Sequence, residues 1–317
     1  MSADYLPLLA AVAPVFLIIG LGWLIRRIGW LTEQADASLL RVIVNLLYPC
    51  LILDTILGNR ALEKAGNVLL APVVGFVTVA AGYGICYVLA PLFGAGESRQ
   101  RRTFAFTTGI YNYGYLALPI AQARFGGETS GVLFIHNLGV EIALWTVGIM
   151  IISGQTRGGG WRHVVNGPVI AIVCAAGLHF TGARTWMPGV VLTAVHSLGA
   201  TALPLGLILT GATFADHMRD LSSNRRALTT GGACLLRLGL LPLLMLALAR
   251  WLPCPIELKR VIVIQAAMPC AVVPVILAKL YGGDPASALR IILFTSVLGL
   301  LTIPFWLQLG LRWIGTN

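Results

Sequence analysis

Two stretches of this chain place amides and prolines among apolar residues. Residues 258–284 read LKRVIVIQAAMPCAVVPVILAKLYGGD, with Gln265, Pro269 and Pro274 inside a run long and apolar enough to cross a bilayer. Residues 103–125 read TFAFTTGIYNYGYLALPIAQARF, with Asn112, Gly114 and Pro119 near the middle and Tyr111, Tyr113 and Tyr115 around them. Proline removes a backbone donor and clashes with the preceding turn, so an uninterrupted helix is not expected in either run. Backbone freed inside hydrocarbon is tolerated only where protein covers it or where it lines a cavity. Pro119 is placed to begin a second half-helix, since proline suits a first helical position. Where two such breaks meet near the membrane midplane, two positive half-helix ends converge, which favours an anionic ligand. Asn112 and Gln265 would add amide hydrogen bonds, and the tyrosines would supply aromatic walls. The alternative is a pair of proline kinks in which Asn112 only satisfies loosened backbone. The matching of the two breaks weighs against it.

That matching extends beyond the breaks. In residues 115–128 (YLALPIAQARFGGE) and 270–284 (CAVVPVILAKLYGGD) a proline is followed four residues later by Ala and five later by Arg or Lys, and both stretches close on Gly-Gly and an acid. Pro119 and Pro274 are 155 residues apart, as are Pro49 and Pro204, and Pro14 and Pro168 are 154 apart. Three pairs in one order at nearly one offset indicate an internal duplication of about half the chain.

Composition defines the setting. Of 317 residues, 57% are hydrophobic and 11% charged, and the mean hydropathy is +0.86. Soluble domains carry about 25% charged residues, so the chain reads as an all-α polytopic membrane protein. At about 20 residues per crossing, ten spans are expected: 6–25, 38–58, 68–93, 103–125, 131–153, 166–182, 189–214, 226–251, 258–280 and 286–312. Residues 1–153 form one five-helix repeat, 154–165 a cytoplasmic linker, and 166–317 the second. An odd number of spans per copy inverts the second copy, the plan of many secondary transporters. Spans 4 and 9 are repeat mates and carry the breaks. With the N-terminus outside, twelve basic residues fall in cytoplasmic loops and eight outside, which favours both termini outside the cell membrane. The net charge of +10 then reflects cytoplasmic loops and calls for no nucleic acid. The N-terminus has an acid and no basic stretch, as expected of a retained first span.

Charged residues within the spans are functional candidates because burial in a membrane is costly. Glu141 and Arg237 are central in spans 5 and 8, and their opposite charges invite an ion pair, either structural or part of coupling and substrate sensing. Asp54 and Arg41 lie near the ends of span 2, where they can snorkel to the interface. Asn45, four residues before Pro49, either bonds across helices or joins the site. The six cysteines include no CxxC pair, the five histidines show no metal spacing, and there is no HExxH, GxSxG or Walker motif. No metal or cofactor is called for. An enzyme lacks its motifs, and a sensor lacks a soluble output domain.

YNYGYLALPIAQARFG, NLLYPCLILDTI, LGATALPLGLILTGATF and QAAMPCAVVPVILAKLYG together resemble the signatures of the auxin efflux carrier family, which includes the plant PIN exporters and bacterial malonate or malate carriers. The resemblance covers nearly the whole chain, and the most specific part is QAAMP-x4-P-x4-K. It implies a bile-acid-symporter-like fold with crossed, broken helices 4 and 9. It also implies a scaffold of spans 1, 2, 6 and 7, a mobile transport domain of spans 3–5 and 8–10, and a homodimer through the scaffold. Asn112 falls on the family's crossover asparagine, and Pro269 and Pro274 on the prolines of the second crossing. Tyr111 stands where the plant exporters have a proline, and Glu141 where relatives more often have a neutral polar residue. The function expected is secondary transport of a small organic anion, an auxin-like monocarboxylate or a dicarboxylate, by an elevator motion. The runner-up is a sodium- or proton-coupled importer of amphipathic organic acids, although Asn112, Gln265 and prolines dominate the crossing where acidic residues would favour sodium.

Overall fold

The computed structural model describes residues 5–154, 167–217 and 227–315. Apart from Gly154, the expected linker lies outside these. The described chain is helical: α1 (Tyr5–Arg27), α2 (Glu33–Val42), α3 (Tyr48–Ile56), α4 (Ala65–Leu89), α5 (Ser98–Gly109), α6 (Ala117–Ala143), α7 (Ile149–Ser153), α8 (Gly167–Phe180), α9 (Ala183–Trp186), α10 (Gly189–His217), α11 (Ala227–Leu235), α12 (Leu241–Trp251), α13 (Ile256–Ala267), α14 (Pro274–Leu280) and α15 (Pro285–Trp313). Among the described residues there is no strand, only one isolated bridge. Among the described residues, six helical segments are long and apolar enough to cross a membrane: Glu33–Ile56, Ala65–Phe93, Ala117–Ser153, Gly189–Asp216, Ala227–Trp251 and Pro285–Trp313. Leu17, Leu69, Val88, Val190 and Leu301 are exposed on outward faces, as expected where the surrounding solvent is lipid. This is a multi-pass membrane protein.

Prolines shape the rods without ending them. Wide five-residue π turns at 43–47, 144–148 and 236–240 join α2 to α3, α6 to α7 and α11 to α12. Two of the three precede a proline at the start of the next segment, Pro49 in α3 and Pro242 in α12. A proline cannot donate to the carbonyl four residues earlier and crowds it, and a wide turn is one way a helix absorbs that conflict. At the second site the carbonyl concerned is Leu238 O, and Trp306 Nε1 donates to it from α15 at 2.7 Å. The tertiary fold replaces the bond that the proline removes.

The GGETS loop expected between spans 4 and 5 is reduced to one residue. Helical geometry runs through 117–143 except at Gly126 (φ 72°, ψ −166°). Asn59 holds the bend closed, its Nδ2 donating to Gly127 O at 2.8 Å and Glu128 O at 3.3 Å. Gly282, at the corresponding place after α14, also has positive φ (78°).

Helices α4 and α6 touch backbone to backbone. A Cβ at Gly139 would lie 1.7 Å from Pro72 O, and one at Gly75 would lie 2.2 Å from His136 O. Small residues permit this approach, and in lipid, where burying apolar surface brings little, close van der Waals contact is what joins helices. Gly139→Ala is therefore expected to force the two helices apart at a cost of roughly 1–3 kcal/mol. Thermal unfolding of the purified protein checks this, and an unchanged midpoint would contradict the close contact.

Candidate functional site

The two interrupted segments lie side by side. Residues 110–116 separate α5 from α6, and residues 268–273 separate α13 from α14. They form an antiparallel bridge between Tyr111 and Cys270. The N–H of Asn112 donates to Pro269 O at 2.8 Å, and the N–H of Ala271 donates to Ile110 O at 3.2 Å. Each break thus supplies the partner the other needs, in a region where Ile110, Tyr111, Met268 and Cys270 are fully buried and water cannot substitute.

The sequence candidates divide between four places. Asn112, Tyr113 and Gly114 line a cavity of about 290 Å3 beside the bridge, together with Tyr115 and the backbone segment Ala271–Val273. Tyr111, Gln265, Pro269 and Pro274 lie outside its wall. Gln265 stands one residue further back, fully buried, and reaches the cavity only through Asn137. Its Nε2 donates to Asn137 Oδ1 at 3.2 Å, and Asn137 Nδ2 donates to Tyr113 O at 2.9 Å. Pro269 contributes its carbonyl to the bridge, and Pro274 begins α14 as a helix-starting proline should. Pro119 does not begin α6, which starts two residues earlier at Ala117. The first-turn N–H groups of a helix have no partner within the helix, so a proline at the third position costs nothing in hydrogen bonds. Pro119 lines a different cavity, with Pro14 and Pro204. Asn45 is exposed, and its Nδ2 donates to Arg41 O at 3.0 Å within its own helical rod.

Asn112 is half committed. Its Oδ1 accepts from Leu116 N at 3.3 Å, just before the first turn of α6, while its Nδ2 has no partner among the described residues. A donor is thereby left at the cavity wall. Across the cavity stand Asn137 and Glu141 of α6 and Trp145 of the wide turn that follows it, spaced at four-residue steps and all in the cavity wall. Tyr113 Oη donates to Glu141 Oε1 at 2.7 Å and Trp145 Nε1 to Oε2 at 2.9 Å. Phe134 from α6, Tyr48 and Ile52 from α3, and Ile172 from α8 complete a mainly apolar, aromatic enclosure. Tyr48 meets Tyr115 edge to face at 5.8 Å.

Glu141 and Arg237, expected to attract each other, have different neighbours. Glu141 is a cavity residue, whereas Arg237 lies behind the bridge with its guanidinium 5.5 Å from the Tyr111 ring centre. Asp54 pairs with His196 at 3.0 Å in a larger cavity of about 610 Å3, formed where α3 ends and α6 bends. That space has a polar rim but neither interrupted segment in its wall. Asn137, Trp145 and Tyr48 were not singled out by sequence reasoning. The four-residue steps in HNLGVEIALW carry the signal for the first two, whereas Tyr48 has none beyond its place beside Pro49.

Two paired helix interruptions beside a small, largely apolar cavity are an arrangement found in many membrane transporters. The chain matches the membrane transport protein family over residues 7–160 and 156–307 and belongs to it; this is the auxin efflux carrier family that its motifs resemble. It is 26% identical over 299 residues to an uncharacterised transporter of Methanothermobacter thermautotrophicus, covering 93% of this chain and 96% of the relative. An uncharacterised transporter of Methanocaldococcus jannaschii is 22% identical over 302 residues, covering 92% and 95%.

The Gln265–Asn137–Tyr113 chain makes a quantitative expectation. Asn137→Leu strands a buried amide and a carbonyl, which costs about 1–3 kcal/mol of stability. Gln265→Leu added to Asn137→Leu should cost less than the two single losses summed. Strict additivity in the unfolding free energies would show that the two amides do not act together.

Proposed function

We propose that the protein is a secondary transporter that moves a small organic anion across the cell membrane, with the substrate bound where the two interrupted helices cross. The observation that carries this reading is the Tyr111–Cys270 bridge with a cavity against it. Asn112 Nδ2 and the start of α6 present donors and a positive helix end to that space. Apart from Asn137 and the Glu141 carboxylate, which accepts from Tyr113 and Trp145, its remaining walls are aromatic and aliphatic, which favours one carboxylate on an apolar body over a dicarboxylate.

The chain crosses the membrane ten times in this reading, as two inverted five-helix repeats, with the offsets among its prolines and the like φ angles of Gly126 and Gly282 as support. Spans 1, 2, 6 and 7 (α1, α2–α3, α8 and α10) act as the scaffold and as the contact between two copies. The other spans carry the crossing past them as an elevator. Tyr48, Ile52 and Ile172 are then the scaffold side of the cavity, and Asn112, Tyr113 and Asn137 the moving side. No nucleotide motif is present, so the driving force is the substrate gradient, the membrane potential or a coupled ion. A second reading adds proton or sodium coupling, and Glu141 in the cavity wall is the observation that favours it.

Losing one buried hydrogen bond to a charged group costs about 1.5–3 kcal/mol, or about ten- to a hundredfold in affinity. Asn112→Ala is expected to weaken binding and uptake of a carboxylate probe by that factor while the protein stays folded, and Gln265→Ala to weaken both less. Proteoliposome uptake with panels of monocarboxylates and dicarboxylates, with and without sodium or pH gradients, checks this. Parent-like uptake by both variants would reduce the crossing to scaffolding. Orientation has its own test in a cysteine-free background. Gly96→Cys should label only from the cytoplasm and Gly182→Cys only from outside, and the reverse pattern would invert the topology.

A further inference from the structure

Arg237 is 1% exposed and sits in the π turn at 236–240 between α11 and α12. Its Nη2 reaches Met245 Sδ at 3.9 Å, and its guanidinium stands 5.5 Å from the centre of the Tyr111 ring. The thiols of Cys86 and Cys270 are its other electrostatic neighbours, and its Nε has no hydrogen-bond partner. Among the described residues no carboxylate lies within ion-pair distance of it; Asp36 and Asp216 pair with Arg26, Glu257 with Lys64, and Asp54 meets His196. Thioether, ring and thiols cannot neutralise a full positive charge. A buried cation without an anion is strongly disfavoured.

Nothing in the local architecture asks for arginine here. The carbonyl freed by Pro242 is satisfied by Trp306, so the turn's backbone does not depend on the side chain. An apolar residue of similar length would fill the space, and such replacements of buried charges are often neutral or stabilising. What the charge does have is position. Tyr111, whose ring it faces, is the bridge residue immediately before Asn112, which lines the cavity. The guanidinium is therefore separated from the candidate substrate site only by the crossing itself, in surroundings that screen poorly.

We infer that Arg237 is the residue that makes the crossing select anions: it acts through the crossing as a fixed counter-charge, without touching the substrate. This rests on the reading of the crossing as the substrate site. With the Glu141 carboxylate held by Tyr113 and Trp145 on the other wall of the cavity, the bound anion is the further negative charge that answers Arg237, and a neutral analogue of the same shape gains nothing from Arg237. The side chain is a positioning and specificity-determining residue.

The test separates charge from fold. Purified full-length protein is titrated at constant ionic strength with formate, acetate and phenylacetate, and in parallel with formamide, acetamide and phenylacetamide, with the melting temperature followed throughout. The parent should be stabilised more by the carboxylates than by their amides. In Arg237→Met and Arg237→Gln the carboxylate response should fall to that of the amide, a loss of about tenfold or more in apparent affinity. The ligand-free melting temperature should not fall in Arg237→Met, and Arg237→Lys should keep part of the preference. Undiminished preference in both neutral variants, or no preference in the parent, would overturn the inference. Asn112→Ala distinguishes the two proposals. A carboxylate response kept in Asn112→Ala but lost in Arg237→Met refutes the crossing as the site, and with it the route through Tyr111. A response lost in Asn112→Ala but kept in both neutral Arg237 variants leaves the crossing as the site and removes Arg237 from it.

Discussion

Hydrogen bonding of backbone that cannot reach water is the constraint on which this structure depends. Two helices are interrupted inside apolar surroundings, and each interruption leaves N–H and C=O groups whose exposure to hydrocarbon would be prohibitive. The chain meets this by laying one interruption against the other, so that Asn112 N bonds Pro269 O and Ala271 N bonds Ile110 O. Neither segment is tenable alone. Because they lie some 160 residues apart in sequence (Tyr111 and Cys270), the two parts of the chain are tied at one point, and the geometry there is set by both.

Around that bridge the polar groups sort onto two sides. On the cavity side are Asn112, Asn137 and Glu141, with Tyr113 and Trp145 donating to the Glu141 carboxylate. Behind it are Tyr111, hydrogen-bonded through its hydroxyl to Thr78 at 2.8 Å, and Arg237. Gln265 and Asn137 connect the second helix to the wall of the first. A ligand on one side and a fixed charge on the other can sense one another without contact, since little polarisable water lies between them. The family to which the chain belongs is one of membrane transporters, and a site of this kind, buried yet adjoining a cavity, suits a cargo that must leave again.

Rigid helices surround the crossing. The contact of α4 with α6 through Gly75 and Gly139 holds Asn137 and Glu141 in register, because a helix locked by backbone contact cannot rotate its polar face away. Asn59 does similar work at the Gly126 bend. The wide turns place Arg237 and Tyr48 out of the phase that ordinary helices would impose, one behind the bridge and one at the cavity.

How much of this was legible follows from the range over which each cause acts. Hydropathy is a property of short windows, so the helical, membrane-crossing character of the chain could be read directly. Proline's missing donor is a covalent fact, so the two interruptions could be placed, and Asn112 beside the first was recognisable as a polar group among apolar ones. Partnership was not legible. Gln265 stands behind the wall and Asn137 in it because helix rotation depends on packing, and Pro119 falls inside α6 because helical bonding already begins before it, with Leu118 N on Gly114 O. Opposite charges at similar depth pointed to a Glu141–Arg237 pair, yet one lies in the cavity and the other behind the bridge, since depth along a helix says nothing about azimuth. Local chemistry is written along the chain, whereas which groups face each other is decided only when helices from distant segments pack and each buried donor must find its acceptor.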